Sequence, residues 1–200
     1  MDSEFKDRKR DLASFLRDQT ETRIRYETIA MRLDSESERA NDPYHEISIR
    51  AELFEEAAKI DSKSGRRAQA RINFSVASER RALSAARHLE VGDFRHAAQE
   101  FARASEDAEL ANNTSKKKHY ASKAAENYII ARDNADNFDD KALFGVLAAN
   151  NMSKAGIFSI NDENVREVHA RAVGDYESSS KHPIVRVMIN RSPLSRGRLF

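Results

Sequence analysis

At 200 residues the chain can build one domain with a real core, or a short repeat array with extensions, and it is short for two enzymatic domains. Its 34 Lys and Arg nearly cancel its 33 Asp and Glu, which excludes a chain-wide field that would demand nucleic acid or an anionic membrane. The absence of cysteine excludes disulfides, thiolate metal sites and cysteine nucleophiles together.

Six glycines and three prolines are few breakers, so the fold class expected is all-α. "MDSEFKDRKRDLASFL" has no apolar stretch of signal-peptide length, and no uncharged run approaches the ~18–20 residues needed to span a bilayer. A soluble, cytoplasmic protein is expected.

Residues 4–38, within an N-terminal unit of 1–40, predict one long, charged helix. Phe5, Leu12, Gln19, Tyr26 and Leu33 recur every seventh residue, and Phe15, Thr22 and Ile29 add a second row. Such a stripe either docks the helix on its own domain or supports self-association as a coiled coil. Pro43 breaks the pattern, and a second helix is predicted over 43–60 with Ile47, Ala51, Phe54 and Ala58 inward. "DSKSG" closes it. A third helix over 66–90 is expected to bury Ala68, Ile72, Val76, Leu83 and Ala86 before "VGD" stops it.

The fourth helix, 93–111, carries Phe94, Ala97, Ala98, Phe101, Ala104, Ser105 and Ala108 on one face, a small-residue stripe that lets helix axes approach closely. A fifth, 116–134, uses Tyr120, Ala121, Ala124, Tyr128 and Ala131. A sixth, 138–150, uses Ala142, Leu143, Val146 and Leu147. A seventh, 162–173, places Val165, Val168, His169 and Ala172 inward and is expected to stop at Gly174. From His182 onward the tail has no acid, carries four arginines, and reads as a basic, partly disordered extension over 174–200.

Two phrases recur. "ANNTSK" at 111–116 returns as "ANNMSK" at 149–154, and both copies are read as punctuation between helices, because asparagine tolerates the left-handed conformation and caps helices. "AELFEEAA", "AQEFARAS" and "KALFGVLA" align Phe54, Phe101 and Phe144 at intervals of 47 (101 − 54) and 43 (144 − 101). Helix pairs recurring at such intervals bury their apolar faces by stacking on one another.

"VGDFRHAAQEFARA" resembles a tetratricopeptide repeat: Gly92, Asp93, Phe94, Ala97, Phe101 and Ala104 match that family's turn glycine and second helix at its own spacing. Arg81, Ser84 and Ala85 stand where the family's first helix carries an aromatic, a leucine and a glycine. The interval also exceeds the ~34 residues of the standard motif, and is more similar to the arrays of soluble NSF attachment proteins. The resemblance implies a short right-handed array of antiparallel helix pairs, a tetratricopeptide-like α-solenoid, over 43–173.

No phosphate-cradling glycine loop, nucleophile elbow or HExxH occurs, and no histidine follows a glutamate by three positions. Asp93 with His96, and Asp42 with His45, read as helix caps rather than ligands. No cofactor or metal is expected, and the expected function is non-enzymatic: an adaptor that holds a peptide or helix of another protein in a groove shaped by the first helix of each pair. "KSGRRAQAR" and "SKKKH" begin the third and fifth helices, so Arg66, Arg67, Arg71, Lys117, Lys118 and Lys123 are the expected partner contacts. Asn73 and Asn127 join them by analogy with repeat modules that read peptides through asparagine. The alternative is a charge-driven binder of nucleic acid or anionic lipid, using the tail and these basic helix starts.

Overall fold

The computed structural model describes residues 18, 20–29, 31, 44–156 and 163–177. Among them lie seven helices and no strand: α1 (20–29), α2 (Tyr44–Lys63), α3 (Arg67–Glu90), α4 (Phe94–Leu110), α5 (Thr114–Asp133), α6 (Phe138–Ala155) and α7 (Glu163–Glu177). From α2 onward each helix packs on the next in the chain.

Three of the turns share one device. Gly65 (φ 76°), Gly92 (φ 75°) and Asn112 (φ 63°) each take the left-handed conformation that reverses a helix end. The residue after each sends its backbone N–H back to the preceding helix: Arg66 to Asp61 O, Asp93 to His88 O and Asn113 to Ala108 O. Asp93 and Asn113 then cap the next helix by accepting from the amides of His96 and Lys116. With only three residues available to turn in, consecutive helices run antiparallel.

Ion pairs that skip one helix set the helices in two rows. Glu52–Arg103 joins α2 to α4 and Glu106–Lys154 joins α4 to α6; Glu79–Lys116 joins α3 to α5 and Arg132–Asp175 joins α5 to α7. The core between the rows is alanine-rich, with Ala85, Ala98, Phe101, Ala124, Tyr128, Ala131, Phe144 and Ala148 forming its largest cluster across α3 to α6. Phe54, Phe101 and Phe144, aligned in sequence, are buried in α2, α4 and α6. Burial of each phenylalanine contributes roughly 1.5–3 kcal/mol of transfer free energy.

Four expectations are corrected. The inward face of α3 is not the aliphatic one: Ala68, Ile72, Leu83 and Ala86 are exposed, while Asn73, Ser78, Arg81, Ser84 and His88 are buried beside Ala70, Phe74, Ala77 and Ala85. Asn73, Ser78 and Arg81 bond across to other helices, which a reading of hydrophobicity alone does not capture. The second "ANN" does not end a helix. α6 runs through it to Ala155 and stops at Gly156 (φ 62°), because a glycine is available there and Met152 favours helix where Thr114 does not. α7 passes through Gly174 and continues to Glu177. α5 begins at Thr114, two residues early, since Asn113 is its cap.

The described part of the N-terminal helix docks on its own chain. Arg23 Nε lies 3.5 Å from Asp61 Oδ1, and Glu27 Oε1 accepts from Asn73 Nδ2 at 2.6 Å. The heptad positions Phe5, Leu12, Phe15, Gln19 and Leu33 lie outside the described residues, as does the tail from 178 onward.

Candidate functional site

The row made by α2, α4 and α6 carries two adjoining grooves. One, of about 620 Å³, runs between α4 and α6. Ala102, Tyr128 and Leu147 supply its apolar part, and Arg103, Glu106 and Lys154 its charged rim. Burial pushes the Tyr128 phenol up to about 12, so the ring presents a neutral hydroxyl.

Asn151 lines this groove. It is 4 % exposed; its Nδ2 donates to Leu147 O one turn back at 2.8 Å, while its Oδ1 accepts no hydrogen bond from the described residues. A buried acceptor left in that state costs roughly 1–3 kcal/mol.

The second groove, of about 420 Å³, lies between α2 and α4 and shares Arg103 and Glu106 with the first. Five carboxylates (Glu52, Glu55, Glu56, Glu106, Asp107) line it against three cations (Lys59, Arg81, Arg103). At its base Arg81, 3 % exposed, pairs with Glu55, with Glu100 (3.5 Å) and with Asp107 (3.0 Å). Burial drives the Asp107 carboxyl up to about 7 and the Glu55 charge adds to that, with Arg81 pulling the other way. Arg81 ties α2, α3 and α4 together by charge.

The basic residues expected to meet a partner lie elsewhere. Arg66, Arg67 and Arg71 sit at the start of α3, and Lys117, Lys118 and Lys123 on α5, the other row. Several are already engaged: Arg66 Nε with Asp61 (2.7 Å), Lys117 with Glu109 (2.5 Å) and Lys123 with Glu126 (3.0 Å). Asn73 and Asn127, expected by analogy to contact a partner, are buried at 2 % and 5 % exposure. Asn73 bonds Glu27 and Asp61, and Asn127 bonds Lys123 O. None of the eight lines either groove. The sequence signal that could have found Asn151 was the repeated "ANN" itself, had its second copy been read as helix.

At the α3–α4 turn a third group of polar side chains gathers. Asp93 Oδ2 lies 2.7 Å from His96 Nδ1 and 3.3 Å from His88 Nδ1, and the two imidazole centroids are 5.3 Å apart. Asp93 caps α4 as expected from sequence; His88, five residues before it, is the member that spacing did not reveal. No helix among the described residues is long and apolar enough to cross a membrane. No family profile, curated protein or solved structure matches the chain.

Proposed function

We propose that the chain is a non-enzymatic interaction scaffold, a tetratricopeptide-like right-handed array whose α2–α4–α6 row receives a segment of another protein. The observation that carries this reading is Asn151: a buried amide whose Oδ1 has no partner among the described residues, in the lining of a groove that also presents Ala102, Tyr128 and Leu147. A backbone N–H of a bound peptide is the natural donor, and asparagine suits that task because its amide can both give and accept. The neighbouring acidic groove favours a segment with lysine or arginine beside an apolar anchor, the anchor seated against Tyr128 and Leu147. This places recognition on the second helix of each pair, not on the first.

The test is selection of random displayed peptides on the full-length protein, followed by amide shift mapping. Selected peptides should share a basic residue next to an apolar one, perturb amides of 99–106 and 147–154, and bind at least about tenfold more weakly to Asn151→Leu and to Glu52→Lys/Glu56→Lys. Peptides indifferent to those changes but lost on Lys117→Glu/Lys118→Glu would move recognition to the α3–α5 row and overturn the assignment.

A further inference from the structure

We propose that His88, Asp93 and His96 form a binding site for a divalent transition ion of the zinc class. One ligand atom from each residue lies within 4.8 Å of the other two, and the Oδ2 edges of the triangle measure 2.7 and 3.3 Å. Donors held about 2.0–2.1 Å from one ion span edges of roughly 2.9 Å in octahedral and 3.4 Å in tetrahedral geometry. Two imidazoles bound through nitrogen to such an ion would have centroids about 5 Å apart. The observed 5.3 Å agrees with that.

Capping does not account for the arrangement. An N-cap needs one carboxylate oxygen, and Asp93 uses Oδ1 for it, accepting from the His96 amide at 3.2 Å. The other oxygen, Oδ2, is hydrogen-bonded to His96 Nδ1 at 2.7 Å and has His88 Nδ1 3.3 Å away. The backbone holds this geometry before any ion arrives: Gly92 takes φ 75°, and Asp93 N–H donates to His88 O at 2.9 Å, pinning the two ligands to each other. His88 is 8 % exposed and fixed in the last turn of α3, whereas the His96 side chain is largely in solvent, so the pocket has a rigid wall and an open one. Asp93 also borders a cleft of about 290 Å³ beside the α5–α6 turn.

The electrostatics permit a cation at this helix start. The N-terminus of α4 alone would repel one, but the C-terminal carbonyl end of α3 meets it at the same turn and opposes that field, and the carboxylate adds a full negative charge. Two imidazoles and one carboxylate are a borderline donor set, suited to Zn²⁺, Co²⁺ or Ni²⁺ and poor for Mg²⁺ or Ca²⁺. Three protein ligands leave a fourth position for water or for a side chain of a bound partner.

The experiment is titration of tag-free, chelator-treated full-length protein with ZnCl₂ by calorimetry and with CoCl₂ by visible absorption, beside Asp93→Asn and His96→Ala. Asparagine keeps the cap and removes the charge, and His96 is exposed, so both variants should melt near the wild-type temperature without metal. One Zn²⁺ per chain is expected, with a four-coordinate Co²⁺ spectrum and affinity reduced at least about tenfold in each variant. Nitrogen-15 imidazole spectra should show His88 and His96 shifting together on Zn²⁺ addition, a readout independent of any substitution. Equal affinity in wild type and variants, no binding, or shifts confined to other histidines would overturn the site; MgCl₂ binding in place of ZnCl₂ would overturn its class.

Discussion

Asn112 holds φ 63° in the turn from α4 to α5, the position that Gly65 and Gly92 fill in the two preceding turns. A left-handed backbone strains a residue with a Cβ, asparagine less than most, so Asn112→Gly should raise stability by roughly 0.5 kcal/mol and Asn112→Ala lower it by roughly 1 kcal/mol in urea unfolding. Equal effects of the two substitutions would mean the turn is not under conformational strain. Asp107 makes a prediction of opposite kind. Its folded carboxyl titrates at about 7 against an ordinary value of 3.8, so between those limits the folded chain binds the extra proton. Stability from this group is therefore fully present below about pH 4, falls as pH rises from there through about 7, and is lost by about pH 8. Arg81, Glu55, Glu100 and Glu106 are the charges around it, and of these Glu55 is held below its ordinary value: burial would raise it, but Lys59 and Arg81 outweigh that. Asp107→Asn should leave Arg81 paired with Glu55 and Glu100 and gain about 1–3 kcal/mol on wild type at pH 8 relative to pH 5. A constant difference across that range would show that Asp107 is ionised throughout.

Elements were legible in proportion to how far apolar contact decides their orientation. α4 and α5 bury the faces that their alanines, phenylalanine and tyrosine predict. α3 does not, because its inward contacts are polar and directed: Ser78 Oγ donates to Ala104 O, Arg81 reaches three carboxylates, and Asn73 spans Glu27 and Asp61. A periodicity reading assigns such residues outward and brings Ile72 and Leu83 in. The candidate groove was missed for a related reason, since its key residue stands in a phrase whose first copy is a true turn. The α6–α7 contact was legible in Ala142, Val146 and Ala172, all expected inward and buried together, but the part Gly145 plays in it was not. A Cβ built on Gly145 would lie 2.6 Å from Ala172 Cβ and 3.3 Å from its Cα, so the two helices touch nearly backbone to backbone there. Gly145→Ala, harmless to helix propensity, should cost about 1–3 kcal/mol or lift α7 off the array. The loss should appear as faster amide exchange across 166–177 while α4 is unchanged; a stable variant with α7 still protected would mean the helices slide apart without penalty.

At the scale of the whole molecule, the skipping ion pairs and consecutive packing describe a one-dimensional stack, legible in sequence through the aligned Phe54, Phe101 and Phe144. Stability in such a stack follows the number of neighbours each helix has. The eight-residue cluster spans α3 to α6, whereas α7 adds one fully buried residue, Ala172, with Val173 and Tyr176 partly buried beside it, and the described part of α1 is fastened through Arg23 and Glu27. Native-state hydrogen exchange should accordingly show a gradient, slowest in α4 and α5, intermediate in α2, α3 and α6, and fastest in α1 and α7. Arg81→Met tests what couples the halves: it removes a side chain that joins α2, α3 and α4 by charge and leaves Asp107, Glu100 and Glu55 without that partner. Protection should then fall in α2 and α3 while the α5–α6 interface keeps its own. If protection falls uniformly instead, the array unfolds as a single cooperative unit, and Arg81 contributes to global stability without acting as the link between its neighbours.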